Sequence, residues 1–240
     1  MILYPAIDLK NGQCVRLKRG NFDKVKVYNE NPIQQAKNFE SLGFSWLHVV
    51  DIDGAYAGSL INQKMISSIC KEVKISVQLG GGIRDMRALD YCFEQGIDRA
   101  ILGTAAVNKP HFVFEACKNF PNKIAIGIDS QNGFVKINGW SKKSEITNID
   151  LAKKFEDTGV AAIIFTDISR DGMMTGINLK ETLEMASSVN IPLIASGGVK
   201  NIDDIKNLMA HNKNGVAGVI IGTALYDGAI DAKTALSLTD

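Results

Sequence analysis

Two aspartates occur in matching sequence contexts, each at the end of an apolar, strand-like run. Ile7-Asp8-Leu-Lys-Asn11-Gly12 recurs as Ile128-Asp129-Ser-Gln-Asn132-Gly133. Two carboxyl groups can divide proton transfer between them when their surroundings separate their pKa values, one serving as base and the other as acid. Each aspartate could instead tie down its own loop through an Asx turn. Because the contexts match, we favour the acid–base interpretation.

More polar side chains follow or interrupt other apolar runs. Thr166 ends a later run, and Asp171 lies in the loop after it, either as a third proton donor or as a group that orients the loop. Asp51 and Asp167 occupy matching positions, and we expect both to accept hydrogen bonds from loop amides. His48 lies inside a run, where a lone histidine is more often structural, but we keep it as a substrate-binding candidate.

Glycine accounts for 22 of the 240 residues and clusters after four of the apolar runs. Gly80-Gly81-Gly82 and Gly197-Gly198 follow two runs, while Gly103-Thr104 and Gly222-Thr223 follow the next run in each case. Glycine allows sharp turns that leave backbone N–H groups free to bind an anion near the start of a helix. Tight turns alone would explain one such pair, but the paired arrangement predicts two phosphate sites. Arg84, just after the first cluster, joins the substrate-binding candidates.

These loops carry no motif for a cofactor. They contain neither a G-x-G-x-x-G fingerprint nor a P-loop, so no nucleotide cofactor is indicated. The four cysteines have no C-x-x-C spacing and no pairing with histidines, which favours ordinary thiols over a zinc site or a disulfide framework. The residues therefore indicate neither a nucleotide cofactor nor a metal site.

Long polar loops follow both of the matched aspartates. They contain Arg16, Lys18 and Arg19 after Asp8, and Trp140, Lys142 and Lys143 after Asp129. Such loops are typical of lids that close over an anionic substrate. A solvated charge run would explain Lys142 and Lys143 equally well, and Trp140 could either stack on a flat ring or anchor its loop.

The elements that must position these groups are eight short apolar runs, each followed by a loop and an amphipathic stretch. The runs span 2–7, 45–50, 75–79, 99–102, 124–128, 161–166, 192–195 and 216–221. Runs rich in Val, Ile and Leu with little polar alternation are typical of parallel strands that are buried on both faces. Eight strand–helix units in 240 residues favour an α/β fold of the (β/α)8 type, the TIM barrel, over an open sheet.

The chain also repeats itself. Four segments recur in the same order about 120 residues later, among them 43–51 as 159–167 and 81–84 as 197–200. We interpret residues 1–240 as a single barrel domain built from two similar half-barrels, about 1–120 and 121–240. In such a barrel Asp8 and Asp129 face each other between the two phosphate sites.

Composition excludes several classes of protein. Hydrophobic residues make up 45% of the chain, which excludes intrinsic disorder. A net charge of +1 provides no broad basic surface for nucleic acid, and no apolar stretch approaches the roughly 20 residues that span a bilayer. We expect a cytoplasmic, monomeric protein whose partner is a small molecule with two phosphates.

Six motifs distributed over the chain are specific as a set. They are Pro5-Ala-Ile-Asp8-Leu9, Asp51-Ile-Asp53-Gly-Ala55, Gln78-Leu-Gly-Gly-Gly-Ile-Arg84, Leu102-Gly-Thr-Ala105, Asn138-Gly-Trp140 and Ala195-Ser-Gly-Gly198. Together they resemble a family of histidine biosynthesis, the phosphoribosylformimino-5-aminoimidazole carboxamide ribotide isomerases. The resemblance implies an Amadori rearrangement of an aminoaldose to an aminoketose, without cofactor or metal, on a substrate with two phosphates.

The resemblance also implies roles for individual residues. Asp8 would be the general base that removes the C2′ proton of the opened ribose, and Asp129 the general acid that protonates the ring oxygen. Asp171 matches a family position proposed for the same acid role, and the sequence does not choose between the two. Thr166 would assist beside the reacting ribose. The other contacts to substrate would come from Arg19 and Trp140 in the lids, from Gly82, Gly103 and Thr104 at one phosphate, and from Gly198, Gly222 and Thr223 at the other.

Three alternatives stay open. The cyclase of the same pathway shares the half-barrel repeat and both aspartates, but its first strand typically reads Cys-Leu-Asp where this chain has Ala6-Ile7-Asp8, and it lacks the Asn138-Gly-Trp140 pattern. A bifunctional isomerase that also acts on phosphoribosylanthranilate would use the same site. A non-catalytic barrel that binds sugar phosphates is disfavoured, because two facing carboxylates would weaken the binding of a doubly anionic ligand.

Overall fold

The structure is a computed structural model that describes residues 1–18 and 21–239. The twelve strands of these residues form one sheet. The strands are β1 (Ile2–Lys10), β2 (Gln13–Lys18), β3 (Asn21–Asn29), β4 (Trp46–Asp51), β5 (Ser76–Gly80), β6 (Arg99–Leu102), β7 (Ile124–Gln131), β8 (Phe134–Ile137), β9 (Lys142–Thr147), β10 (Ala162–Asp167), β11 (Leu193–Ser196) and β12 (Val216–Ile221). Eight of them, β1, β4, β5, β6, β7, β10, β11 and β12, pair with one another in parallel. Because β10 pairs with both β7 and β11, these eight strands close into a barrel.

Helices follow the barrel strands and cover the outside of the barrel. Over the same described residues they are α1 (Pro32–Ser41), α2 (Ile52–Ala57), α3 (Gln63–Glu72), α4 (Met86–Glu94), α5 (Thr104–Asn108), α6 (Pro110–Asn119), α7 (Asn148–Lys154), α8 (Leu179–Ser188), α9 (Ile202–Met209), α10 (Thr223–Tyr226) and α11 (Ala232–Ser237), with a 3-10 turn at Asn212–Asn214. The (β/α)8 barrel predicted from the eight apolar runs is confirmed.

The barrel wall separates two apolar layers, because successive side chains of a strand point to opposite faces. The inner layer fills the barrel with residues such as Ala6, Ile101, Ile164 and Ile220. A larger cluster packs between the strands and the helices and includes the fully buried Leu47. Burial on both faces explains why the strands consist of nearly unbroken apolar runs.

Two β-hairpins replace the long lid loops that the sequence predicts. β1 continues through Asn11-Gly12 into β2, and β7 continues through Asn132-Gly133 into β8. Both Asn-Gly pairs have positive φ at both residues, 50° and 74° in the first and 54° and 80° in the second, as a type I′ turn requires. The prediction of long loops at these two places is wrong, because an Asn-Gly pair with positive φ folds the chain into a hairpin. Their closure over a substrate stays a prediction.

The repeated segments have matching backbone conformations. Gly81 and Gly197 have φ angles of 98° and 89°, and a Cβ atom would lie 2.2 Å from the Asp51 carbonyl oxygen in one case and 2.7 Å from that of Asp167 in the other. Only glycine combines positive φ with so close an approach of another backbone. The duplication of a half-barrel, and the assignment of residues 1–240 to one domain, stay predictions that such matches support.

Candidate active site

A cavity opens at the C-terminal ends of the barrel strands, where active sites of such barrels form. It holds about 1520 Å³ of empty space, counting the part open to solvent. Its wall includes each predicted site residue that lies in the described chain, namely Asp8, His48, Gly82, Arg84, Gly103, Thr104, Asp129, Trp140, Thr166, Asp171, Gly197, Gly198, Gly222 and Thr223. Arg19 lies outside the described residues. The fold therefore gathers residues from both halves of the chain around one cavity.

Asp8 lies near the end of β1 and forms an ion pair with Arg16 of β2. Arg16 Nη1 donates to Asp8 Oδ2 at 2.7 Å, and the two side chains are only 12% and 14% exposed. Burial raises the pKa of Asp8, while the positive charge of Arg16 acts in the opposite direction. A buried carboxyl group whose pKa is raised by its surroundings is a candidate for proton transfer.

The Arg16 guanidinium is held on three further sides. Its Nη2 donates to the Ala6 carbonyl at 2.6 Å, and Tyr226 donates to the same carbonyl at 3.0 Å. The Arg16 Cζ atom lies 5.3 Å from the centre of the Tyr226 ring. A Cβ atom on Gly222 would lie 2.8 Å from that Cζ atom, so the guanidinium contacts the backbone of a predicted phosphate site. Arg16 therefore links Asp8 with Gly222.

Asp129 lies near the end of β7, the strand opposite β1 in the barrel order, and so approaches the cavity from the other side. Burial raises the pKa of Asp129, whereas hydrogen-bonding contacts with Trp140 and Thr166 lower it. Thr166 is the register partner of Asp129 on β10, which explains their contact. These two neighbours favour the charged carboxylate.

Asp171 lies in the loop after β10, where its backbone N–H donates to the Asp167 carbonyl at 3.1 Å. Burial, together with the negative charges of Asp8 and Asp129, raises the pKa of Asp171 to about 7 against the opposing charge of Arg16. A carboxyl group with a pKa near neutrality is partly protonated at neutral pH. It can therefore act there as a proton donor.

Two Gly-Thr turns lie on opposite sides of the cavity. Gly103 and Gly222 precede the short helices α5 and α10, and no described side chain caps either helix. Their first backbone N–H groups are therefore free to bind an anion. By contrast, Asp85 and Asn201 cap α4 and α9, the helices that follow the paired glycines. The Gly-Thr turns are thus better placed to bind phosphate than the starts of α4 and α9.

The β8–β9 hairpin docks on one of these turns. The Asn138 N–H donates to Thr104 Oγ1 at 2.9 Å. Arg84 Nη2 donates to Asn138 Oδ1 and to the Ala55 carbonyl, each at 3.3 Å. Arg84 and Thr104 therefore join the hairpin to the loops after β5 and β6.

The connection between β8 and β9 has an unusual backbone. Asn138, Gly139 and Trp140 have successive φ angles of 55°, 60° and 68°. Left-handed backbone at a bulky residue such as Trp140 is strained and persists where surrounding contacts enforce it. Here that conformation accompanies the contact between Trp140 and Asp129.

Asp51 and Asp167 serve the loops that follow their own strands. Asp51 is fully buried and accepts hydrogen bonds from three backbone N–H groups of the segment after β4, at 2.7–2.9 Å. Asp167 accepts from the Ser169 N–H at 2.9 Å and from the Asn178 side chain at 2.8 Å. The expectation that both carboxylates bind loop amides is confirmed.

Metal ligation and thiol chemistry have no supporting feature among the described residues. Within 1–18 and 21–239, no three His, Cys, Asp or Glu side chains are grouped so that they could hold a metal ion. The four cysteines are free, and burial raises the pKa of Cys14 and Cys92 to about 12. None of the helices in this part of the chain has the length and apolar character needed to cross a membrane.

Comparison with known proteins decides the family. The model of a family described as histidine biosynthesis protein matches residues 2–231. A curated protein of Brucella anthropi is 56% identical over 238 residues, which cover 99% of this chain and 98% of that protein. A protein of Rhizobium etli is 54% identical over 238 residues, covering 99% and 96%. Both are named 1-(5-phosphoribosyl)-5-((5-phosphoribosylamino)methylideneamino)imidazole-4-carboxamide isomerase. The chain belongs to the histidine biosynthesis protein family.

Membership of the histidine biosynthesis protein family confirms the resemblance inferred from the six motifs. The match extends well beyond those motifs, because the relatives align over nearly the entire chain. It therefore includes both hairpins and both Gly-Thr turns of the cavity.

One cavity residue of this family member was missed by reasoning from sequence. Arg16 was identified only as part of a basic loop, yet it contacts Asp8 directly. The available signal was the Asn11-Gly12 dipeptide, because a two-residue type I′ turn folds the following strand back along the preceding one. That turn brings Arg16 of β2 beside Asp8 of β1.

Proposed function

We propose that the chain is an aldose–ketose isomerase that catalyses the Amadori rearrangement of N′-(5′-phosphoribosylformimino)-5-aminoimidazole-4-carboxamide ribotide in histidine biosynthesis. The observation that carries this proposal is a group of buried carboxyl groups, Asp8, Asp129 and Asp171, in a cavity between two anion-binding turns. Relatives that are 50–56% identical over nearly their full length bear the name of this isomerase.

The two Gly-Thr turns fit the two phosphates of this substrate. Uncapped helix starts on opposite sides of the cavity can bind the two ends of an elongated bisphosphate. One phosphate is assigned to Gly82, Gly103 and Thr104, and the other to Gly197, Gly198, Gly222 and Thr223. Backbone N–H groups carry much of the recognition, so a net charge of +1 is compatible with a doubly anionic ligand.

The side walls of the cavity hold the part of the substrate between the phosphates. Trp140, on the strained turn of the β8–β9 hairpin, presents a flat ring to the cavity, and Arg84 holds that hairpin in place. His48 lines the inner wall of the cavity and is assigned a contact with this part of the substrate. A contact from Arg19, expected from the family resemblance, is part of the same proposal.

The reaction is a sequence of proton transfers. A proton donor protonates the ribose ring oxygen as its bond to C1′ breaks, and the nitrogen on C1′ supplies the electron pair that forms a protonated Schiff base. Asp8 then removes the C2′ proton, and the electrons of that C–H bond form the C1′–C2′ double bond while the nitrogen becomes neutral. Loss of the C2′ hydroxyl proton and protonation of C1′ give the aminoketose, so no atom is gained or lost.

We assign the proton-donor role to Asp171. Its pKa of about 7 keeps it partly protonated at neutral pH. Burial raises the pKa of Asp129 as well, but there the contacts with Trp140 and Thr166 oppose the rise, whereas neighbouring carboxylates add to it at Asp171. Asp129 then orients the substrate and stabilises positive charge on the Schiff base, with Thr166 holding its carboxylate.

The alternatives considered from the sequence have less support. The relatives named above are isomerases, which disfavours the cyclase of the same pathway. A barrel that only binds sugar phosphates gains nothing from three buried carboxyl groups, because they repel its ligand. The proposal also includes a reaction without cofactor or metal. It further includes a monomeric, cytoplasmic protein that has no nucleic-acid or membrane partner.

The test is an assay of the purified protein on the ribotide, run beside an assay on phosphoribosylanthranilate. We expect conversion of the ribotide to the aminoketose, unchanged after exhaustive treatment with a chelator. Lack of turnover would overturn the proposal. Turnover of both substrates would identify the bifunctional alternative, and loss of activity on chelation would contradict the metal-free mechanism.

A further inference from the structure

Three polar side chains form a buried chain across neighbouring strands inside the barrel. Arg99 of β6 donates from Nη1 to Gln78 Oε1 at 3.1 Å, and Gln78 Nε2 lies 3.0 Å from His48 Nδ1 on β4. The strand register places them side by side, since Gln78 of β5 pairs with Arg99 on one side and with His48 on the other. Gln78 is fully buried, and His48 is 8% exposed.

The chemistry of these groups fixes the direction of each hydrogen bond. A guanidinium group only donates, so the amide oxygen of Gln78 must face Arg99. The Gln78 amide nitrogen then faces His48 and donates to Nδ1. A ring nitrogen that accepts a hydrogen bond carries no proton, so the proton of the neutral His48 ring lies on Nε2.

Arg99 is itself anchored at the floor of the barrel. Its guanidinium carbon lies 4.5 Å from the centre of the Trp46 ring, and its Nη1 also donates to the Tyr4 hydroxyl at 3.3 Å. These contacts restrict the guanidinium, which in turn restricts the Gln78 amide. The orientation is therefore transmitted from the floor of the barrel to His48.

His48 borders the reacting part of the cavity. It pairs with Ala6, and Val50 on the same strand pairs with Asp8, so His48 lies one level below Asp8 on the adjacent strand. Burial and, to a smaller extent, the positive charge of Arg16 lower the pKa of His48 to about 3. The charged groups that face it are Asp8 on β1, Arg16 on β2 and, through Gln78, Arg99 on β6. Its Nε2 has no hydrogen-bond partner among the described residues. It is not among the fully enclosed polar atoms without a partner, so it is open to the cavity.

We propose that Arg99 and Gln78 are positioning residues that hold His48 as a neutral Nε2–H donor directed at the hydroxyl oxygen on the carbon that Asp8 deprotonates. The inference rests on the proposed isomerase function and adds a residue role to it. After Asp8 has removed the C2′ proton, the C2′ hydroxyl loses its own proton as C1′ is protonated. Negative charge then develops on that oxygen, and a fixed donor stabilises it. His48 keeps its own proton throughout, since it only donates a hydrogen bond.

Gln78→Glu is the sharpest variant because it nearly preserves shape and reverses the hydrogen bond at His48. The new carboxylate accepts from Arg99 and can only accept from His48, so it draws a proton onto Nδ1. Gln78→Met removes both hydrogen bonds, and Arg99→Met leaves the amide free to flip. Gln34→Glu, on the exposed face of α1, adds the same charge far from the cavity and is the matched control.

The first readout is nitrogen-15 NMR of the imidazole rings, which distinguishes the two tautomers. The chain has only three histidines, so His48→Asn suffices to assign the signal of His48. We expect the Nε2–H tautomer in wild type and in Gln34→Glu, a proton on Nδ1 in Gln78→Glu, and a mixture in Arg99→Met. A proton on Nδ1 of wild-type His48 would overturn the positioning role.

The second readout is kinetic. We expect Gln78→Glu and Gln78→Met to lower kcat on the ribotide about 10- to 100-fold with little change in KM, since the lost interaction belongs to the transition state. A merely structural role predicts a lower unfolding midpoint with kcat unchanged, and that result would overturn the proposal. A wild-type protein with the expected tautomer but no turnover would count against the isomerase function, not against the hydrogen-bond chain.

Discussion

At the scale of single residues, the three carboxyl groups of the cavity differ chiefly in their nearest partners. Asp8 has the guanidinium of Arg16 at 2.7 Å. Asp129 has two neutral hydrogen-bonding neighbours, and the charged groups that act on Asp171 include both other carboxylates. Different partners give different affinities for a proton, which allows one cavity to contain a base, an acid and an orienting carboxylate at the same pH.

Asp8→Asn tests the base. The amide keeps the shape and can still contact Arg16, but it cannot take the C2′ proton. We expect kcat to fall at least about 1000-fold while binding of the ribotide, measured by calorimetry, changes little. Asp90→Asn, on the exposed face of α4, removes the same charge at a distance and is expected to retain wild-type turnover. Near-normal turnover of Asp8→Asn would refute the mechanism.

The pH dependence of kcat/KM separates Asp171 from Asp129. An acid must be protonated to act, so the wild-type rate is expected to decline as pH rises through about 7, the pKa of Asp171. Asp171→Asn should be slower by about 100-fold or more and should lack that decline. Asp129→Asn should lower kcat/KM but keep the decline of the rate as pH rises through about 7. If only Asp129→Asn loses the decline, the proton donor is Asp129.

At the scale of secondary structure, the barrel strands are predictable from composition, whereas the hairpins are indicated only by their Asn-Gly turns. Runs such as Ile124–Gln131 are buried on both sides and are recognisable from composition alone. β2 and β8 mix apolar with polar residues over only six and four positions, and so short a mixed segment resembles a polar loop. The contact of Arg16 with Asp8 depends on their pairing register, which only the Asn-Gly turn could have indicated.

The site was predictable to the extent that it depends on repeated glycines and aspartates. Gly81 and Gly197 stand out because the backbone itself requires glycine there. Gln78 could not be singled out, since its importance arises from two neighbours on other strands, and a polar residue in a buried run has no local signature. Side-chain networks across strands require knowledge of which strands are adjacent.

A matched pair of glycine substitutions tests the close backbone approach at the loop after β5. Gly12 has a φ of +74°, and no atom lies within 4 Å of the Cβ that Gly12→Ala would add. This variant should therefore lower the free energy of unfolding only by the strain of left-handed backbone, about 1 kcal/mol. Gly81 has a φ of +98°, and Gly81→Ala would place its Cβ 2.2 Å from the Asp51 carbonyl oxygen. We expect it to lower the free energy of unfolding by at least about 3 kcal/mol in urea titrations. Equal losses in the two variants would contradict this account.

At the scale of the whole molecule, the site opposes the stability of the fold. Asp8, Asp129 and Asp171 are all buried with raised pKa values, so ionising them is harder in the folded chain than in the unfolded one. Residues chosen for catalysis commonly reduce stability in this way. The surrounding barrel, with its two apolar layers, tolerates the loss.

Asp171→Asn should therefore make the protein more stable at neutral pH and above. The folded pKa of about 7 exceeds the ordinary value of 3.8, so the folded state holds the Asp171 proton more tightly than the unfolded state does. This contribution to the stability of the wild type is fully present below about pH 4. That contribution is lost as pH rises from about 4 to about 7, where the ionised carboxylate stays buried beside two others. The asparagine does not ionise, so the stability of the variant should depend less on pH. Its free energy of unfolding should exceed that of the wild type by about 2–4 kcal/mol at pH 8, with little difference at pH 4.

Urea denaturation of both proteins from pH 4 to pH 8 measures this difference. A variant that is less stable than wild type at pH 8 would show that the Asp171 carboxylate is stabilised in the cavity, and such a group could not serve as the proton donor at neutral pH.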